Sequence, residues 1–196
     1  MKRVMFSVLA VAILLATGFA YAQGGAGGQM QGQKITISTS LNRSYTTFKN
    51  NFTAAAAKMG DADYSFKPGT TPEARTFAQV IDHIAQSQFG GCSAIIGQPN
   101  PMQGKQLEQE LKTKAEVTKA LADSFAICDK AFEGLTDANA MEMIKQGNNE
   151  VTRVAALYGV VVHGNEMAGT AYVYLRSKNL VPPSTENMGR GMRGRG

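Results

Sequence analysis

The stretch that decides the fold is VVHGNEMAGTAYVYLRSKNLVPPS, residues 161–184. Its apolar and small residues recur at helical spacing. The pattern predicts a helix ending at Asn179, held shut by Pro182 and Pro183. His163 and Met167 stand four residues apart, so they share one face with Thr170 and Tyr174. A histidine at position 167 would complete HxxxH, a metal-binding half-site. With methionine there, two readings stand. One is core packing, in which a buried histidine keeps a hydrogen-bond partner and the thioether fills a gap. The other is an altered metal site. Glu166 lies about 100° around the helix from Met167 and reads as an exposed carboxylate. The order H-x-x-E is not the HExxH of metalloproteases.

Outward from this segment the chain has helical period. A first helix is expected over residues 41–59, with Phe48, Phe52 and Ala55 on one face. A second opens at Thr71-Pro72-Glu73, with Thr71 as N-cap and Pro72 in the first turn, and runs to Ile96. Phe77, Val80, Ile81 and Ile84 form its stripe, and His83 flanks it. Thr113 and Glu116 make a capping box for a third helix, whose stripe is Val117, Leu121, Phe125 and Cys128. The fourth is expected over residues 151–178. Residues 97–104, GQPNPMQG, are a long loop, and residues 137–149 read as irregular or a short helical turn. Only residues 34–39 alternate like a strand, and they read as an extended arm. Four amphipathic helices of these lengths make an all-α four-helix bundle.

The ends differ from this body. Residues 1–22 carry Lys2 and Arg3, an apolar run over residues 4–15, and Ala20 and Ala22 as a cleavage signature. That is the pattern of a secretory signal peptide, so a periplasmic or secreted address is expected, with no membrane attachment after cleavage. Removing 22 of the 196 residues leaves 174, enough for one domain with its own core. Residues 23–40 read as a flexible linker and extended arm, residues 41–186 as the bundle, and residues 187–196 as a disordered Gly/Arg tail. Without Lys2 and Arg3 the net charge falls from +5 to +3, which Arg190, Arg193 and Arg195 account for. The body is near neutral, so no nucleic-acid surface is expected. Asp61, Asp63 and Asp129 read as isolated carboxylates at helix ends. There is no G-x-S-x-G elbow, P-loop or GxGxxG following a strand.

Four pieces together resemble the DinB/YfiT-like family of four-helix bundles: RTFAQVIDHIA at residues 75–85, GQPNP at 97–101, SFAICD at 124–129 and the segment quoted first. The resemblance implies helices ordered up-down-down-up. It also implies a metal held by three histidines, one on the second helix and two from HxxxH on the fourth. His83 matches the first and His163 the second; Met167 stands where the third belongs. His83 and His163 are the only two histidines in the chain. Two imidazoles without a third strong ligand hold zinc or nickel weakly, whereas a thioether suits copper(I). The expectation is therefore an exported bundle with a degenerate His/His/Met site, non-catalytic or binding in role. The alternatives are a metal-dependent thiol transferase-like enzyme with altered ligands, as some relatives are, or a periplasmic copper-binding protein. Whether the chain is an enzyme is left open. The expected partners are an unidentified small molecule and, by the resemblance, a second copy in a homodimer.

Cys92 and Cys128 are an even pair in a chain read as exported, which points to a disulfide over two buried thiols. The helix order implied by the resemblance runs the second and third helices parallel, which sets the two cysteines level.

Overall fold

The structure, a computed structural model, describes residues 34–193, with side chains through Met188. Its elements are α1 (Ile37–Lys58), α2 (Phe77–Ile95), α3 (Leu107–Glu110), α4 (Lys114–Glu133), β1 (Met143–Gln146), β2 (Asn149–Thr152), α5 (Arg153–Ser177) and α6 (Pro183–Arg193). The four long helices α1, α2, α4 and α5 are amphipathic or apolar, and they close a core of Phe48, Phe52, Phe77, Phe125, Phe132 and Leu157. Each such side chain contributes about 1.5–3 kcal/mol on burial. Tyr45 stacks on Phe132 with ring centroids 3.8 Å apart.

Cross-helix contacts fix the directions. Tyr45 donates to Asp129 at 2.8 Å and Lys114 to the Met59 carbonyl at 2.9 Å, so α1 and α4 are antiparallel. Ile37 and Leu41 share a groove with Val154 and Tyr158, and Lys58 reaches the Val181 carbonyl at 2.8 Å; α1 and α5 therefore run parallel. Ser124 donates to Gln88 at 2.8 Å, and one turn on Cys92 is bonded to Cys128 with Cα atoms 5.0 Å apart, so α2 and α4 are parallel. Tyr174 donates to the Arg75 carbonyl at 2.7 Å while Arg153 reaches that of Ile95, so α2 and α5 are antiparallel. The ring α1–α4–α2–α5 is the expected up-down-down-up bundle. The crossover from α2 to α4 spans the bundle's length and carries α3.

Several boundaries differ from the sequence reading. The first helix begins at Ile37, not 41, because the Thr36 hydroxyl accepts from Thr39 N and caps it. The second begins at Phe77 rather than at Thr71-Pro72-Glu73. There the capping box is Thr76 with Gln79, and the first amides of α2 go to the loop carbonyls of Phe66 and Tyr64. The expected box of Thr113 and Glu116 is present. Residues 143–152 form an antiparallel hairpin, not an irregular turn, with Met143 opposite Thr152 and Gln146 opposite Asn149. Gly147 takes φ of 62°, the left-handed conformation that two-residue hairpin turns need. α5 closes at Ser177; Asn179 takes φ of 58° while Leu180 N donates to Leu175 O and Asn179 N to Arg176 O, a Schellman cap. Beyond it Pro183 opens α6, which runs to Arg193. The signal peptide, the linker as far as residue 33 and residues 194–196 lie outside the described residues.

Asp61, Asp63 and Asp129 are not isolated: they pair with Lys114, Lys178 and Lys49 at 3.3, 2.8 and 2.6 Å. Gly164 lets Phe48 of α1 pack directly on α5, since a Cβ there would lie 2.6 Å from the Phe48 ring.

Candidate functional site at the histidine pair

α2 and α5 run antiparallel with their midpoints side by side, and this brings the chain's two histidines together. The His83 and His163 rings meet edge to face, centroids 5.1 Å apart with 76° between planes. Both are partly exposed, at 29% and 34% of side-chain area, so the pair opens to solvent. Met167, one turn beyond His163, is buried in the core cluster at 6% exposure. Glu166 is 72% exposed and lies 3.4 Å from His163 Nδ1, as its place on the helix predicts.

The crossover supplies what the sequence did not disclose. Gln86 and Gln79 of α2 latch it: Leu107 N donates to Gln86 Oε1, Gln86 Nε2 to the Lys105 carbonyl, and Gln79 Nε2 to the Glu108 carbonyl. Leu107 is buried against Ala85 and Phe89. So anchored, α3 sets Glu108 Oε1 2.7 Å from His83 Nδ1, and Oε2 accepts from Arg75 Nε at 2.8 Å. Burial alone would raise the Glu108 carboxyl, but the hydrogen bonds and charges of Arg75 and His83 outweigh it and hold it below the usual range. A carboxylate only accepts, so in the 2.7 Å contact His83 Nδ1 donates to Glu108.

Beside His83, on the inner side of α2, Asp82 is fully buried and neither carboxylate oxygen has a hydrogen-bond partner. Burial pushes its carboxyl up to about 7; Lys112 opposes the rise, and Glu108 and Glu116 add to it. Sequence reading missed Arg75, Asp82 and Glu108 as a group. Arg75 and Asp82 sat inside a segment singled out for His83, with no spacing to mark them. Glu108 arrives from the crossover, 25 residues from His83.

The donor set does not fit a metal held by three histidines. It offers two imidazoles and, at the third position, a buried thioether, while Glu108 is already committed to Arg75 and His83. Among the described residues no group of three or more His, Cys, Asp or Glu converges to hold a metal ion. No helix among them is long and apolar enough to cross a membrane.

The sequence matches the DinB superfamily over residues 45–167, and the chain belongs to that superfamily. Its bundle is similar to a solved DinB-like protein from Bacillus cereus, 15% identical, with a TM-score of 0.60 over 73% of this chain and 93% of that one. A DinB-like protein from Bacillus subtilis is 23% identical, with a TM-score of 0.54 and coverage of 71% and 92%. A conserved protein from Enterococcus faecalis is 15% identical, with a TM-score of 0.56 and coverage of 73% and 97%. At these identities the likeness is one of fold. No curated protein sequence matches the chain.

Proposed function

We propose that this is an exported DinB-like bundle that has exchanged metal catalysis for a binding role at its histidine pair. The observation that carries the reading is Met167: the residue at the third ligand position of the family resemblance is a thioether sunk into the core. A side chain so placed contributes packing free energy and offers no strong donor to zinc or nickel. The retained parts suit recognition of a small polar molecule. His83 is oriented by Glu108, and Arg75, Gln79, Glu108 and Lys67 line a polar cavity of about 390 Å³ beside it. Export rests on the apolar leader over residues 1–22, and the Cys92–Cys128 pair at bonding distance is consistent with an oxidising compartment. A His/His/Met set holding copper(I) is the second reading, favoured by the approach of the His83 and His163 rings to 5.1 Å between centroids.

Elemental analysis of untagged protein tests the proposal. The expectation is zinc, nickel and copper all far below one equivalent per chain. A stoichiometric divalent metal would restore the enzyme reading, and stoichiometric copper the second one.

A further inference from the structure

The polar cavity beside His83, about 390 Å³, has walls tied to α5 through Tyr174. The Phe66 ring packs edge-on against Tyr174 with centroids 6.1 Å apart, and the Phe66 carbonyl accepts from Phe77 N at 3.0 Å. The Tyr174 hydroxyl donates to the Arg75 carbonyl at 2.7 Å. The backbone on either side of the cavity, carrying Lys67 and Arg75, is therefore held to one point of α5. A turn closed by Ala74 N on the Thr71 carbonyl at 3.1 Å presents Glu73 to the same space. The charges inside fall into two groups. Arg75 and Glu108 neutralise each other through Nε and Nη2, which leaves Nη1 without a partner among the described residues. The side chains of Lys67 and Glu73 have no ion-pair or hydrogen-bond partner among the described residues. The cavity thus keeps one uncompensated cation and one uncompensated carboxylate.

Resting on the binding role proposed for the same site, we propose that this cavity takes a small polar α-amino acid as its zwitterion. A simple anion would meet Lys67 and the open Nη1 of Arg75, but also the carboxylates of Glu73 and Glu108. A simple amine would meet those carboxylates, but also the two cations. A molecule carrying both charges on one carbon pairs each with its opposite, and like-charge contact disfavours the other two classes. Its carboxylate goes to Lys67 and Arg75 Nη1 by charge-assisted hydrogen bonds. Its ammonium goes to Glu73 and to the lone pairs that Glu108 keeps after accepting from Arg75 and His83. The ligand's side chain is short and polar, because Pro72 and Ala74 are the only apolar residues of the wall and offer little surface to bury. The volume lies at the low end of the ~300–1,000 Å³ range of ligand sites, which sets the same limit.

The test is isothermal titration of L-serine, L-asparagine and L-glutamine into the untagged chain as the cell processes it. At least one should bind with a Kd below ~1 mM. The N-acetyl and carboxamide forms of that amino acid each lack one charge and should bind about tenfold or more weakly. Lys67 and Glu73 are exposed, so Lys67→Gln and Glu73→Gln should leave the unfolding temperature unchanged. Each should weaken the amino acid by about tenfold or more. No binding by any of the three amino acids overturns the proposal. So does an N-acetyl or carboxamide form that binds as tightly as its parent, or an affinity unchanged in either variant. The metal content of the same protein separates this failure from that of the binding role itself. A metal-free chain that ignores all three amino acids overturns the present proposal alone, whereas a stoichiometric divalent metal overturns both.

Discussion

At the scale of single residues, the least expected group is Asp82. It lies on the buried side of a helix whose neighbouring residue, His83, faces the solvent-open pair, so one peptide step separates a dry carboxyl from a wet imidazole. The unfolded chain gives up such a proton near pH 4, whereas the folded chain holds it to about pH 7. Between those values the folded state binds more protons, so its stability falls as pH rises from about 4 to about 7. Asp82→Asn removes the titration. The stability of the variant relative to wild type, from urea unfolding, should grow by on the order of 3 kcal/mol between pH 4 and pH 8. A difference that stays flat across that range would show that the carboxyl is solvated in the folded protein. Gly164 makes a second residue-scale prediction. Gly164→Ala forces a methyl against Phe48 and should cost about 1–3 kcal/mol. The same change at Gly169 touches none of the described residues and should be neutral or stabilising. Equal thermal shifts at the two positions would contradict the α1–α5 approach described.

At the scale of elements, the parallel pair α2 and α4 is the part a bundle of short loops could not make. Parallel neighbours need a crossover as long as the helices, and residues 97–112 provide it. That crossover is tied to α2 by Gln79 and Gln86 and to the core by Leu107, and the disulfide staples its two helices near their far ends. A closed loop of this separation, 36 residues, is worth about 3–4 kcal/mol by its effect on the unfolded chain. Replacing Cys92 and Cys128 together by serine should lower the unfolding free energy by about that much. Wild type under reducing conditions should approach the double variant. Identical stability of oxidised and reduced wild type would mean that the bridge is not formed in the protein as isolated.

At the scale of the whole molecule, the helices were legible because stripes such as Phe48–Phe52, Val80–Ile84 and Val117–Cys128 repeat at helical period, whereas their order came from the family resemblance. Cap positions were legible only where one candidate stood alone, as at Thr113. Before α2 the sequence reading took Thr71, whereas Thr76 caps the helix because Phe66 and Tyr64 offer their carbonyls to the helix that starts there. The hairpin escaped notice because its strands are four residues each, and the turn glycine carries the only strong signal. The two histidines could be paired in advance because the family resemblance puts both on ligand positions; spacing alone placed only His163 and Met167 on one face. Glu108 could not, because its position depends on how a long crossover folds back, and no local periodicity encodes that. The same limit applied to Asp82, whose burial follows from which way α2 is rolled against α3 and α4.

The central claim is that Met167 is the missing ligand of an otherwise assembled histidine pair. Isothermal titration of zinc into untagged wild type and Met167→His tests it most directly. The account predicts weak binding by wild type and binding at least 100-fold tighter by the variant, about 2.7 kcal/mol, since the family resemblance puts a third imidazole at that position. Equally tight binding by both would show that Met167 was never the deficit. No binding by either would show that position 167 does not converge with His83 and His163.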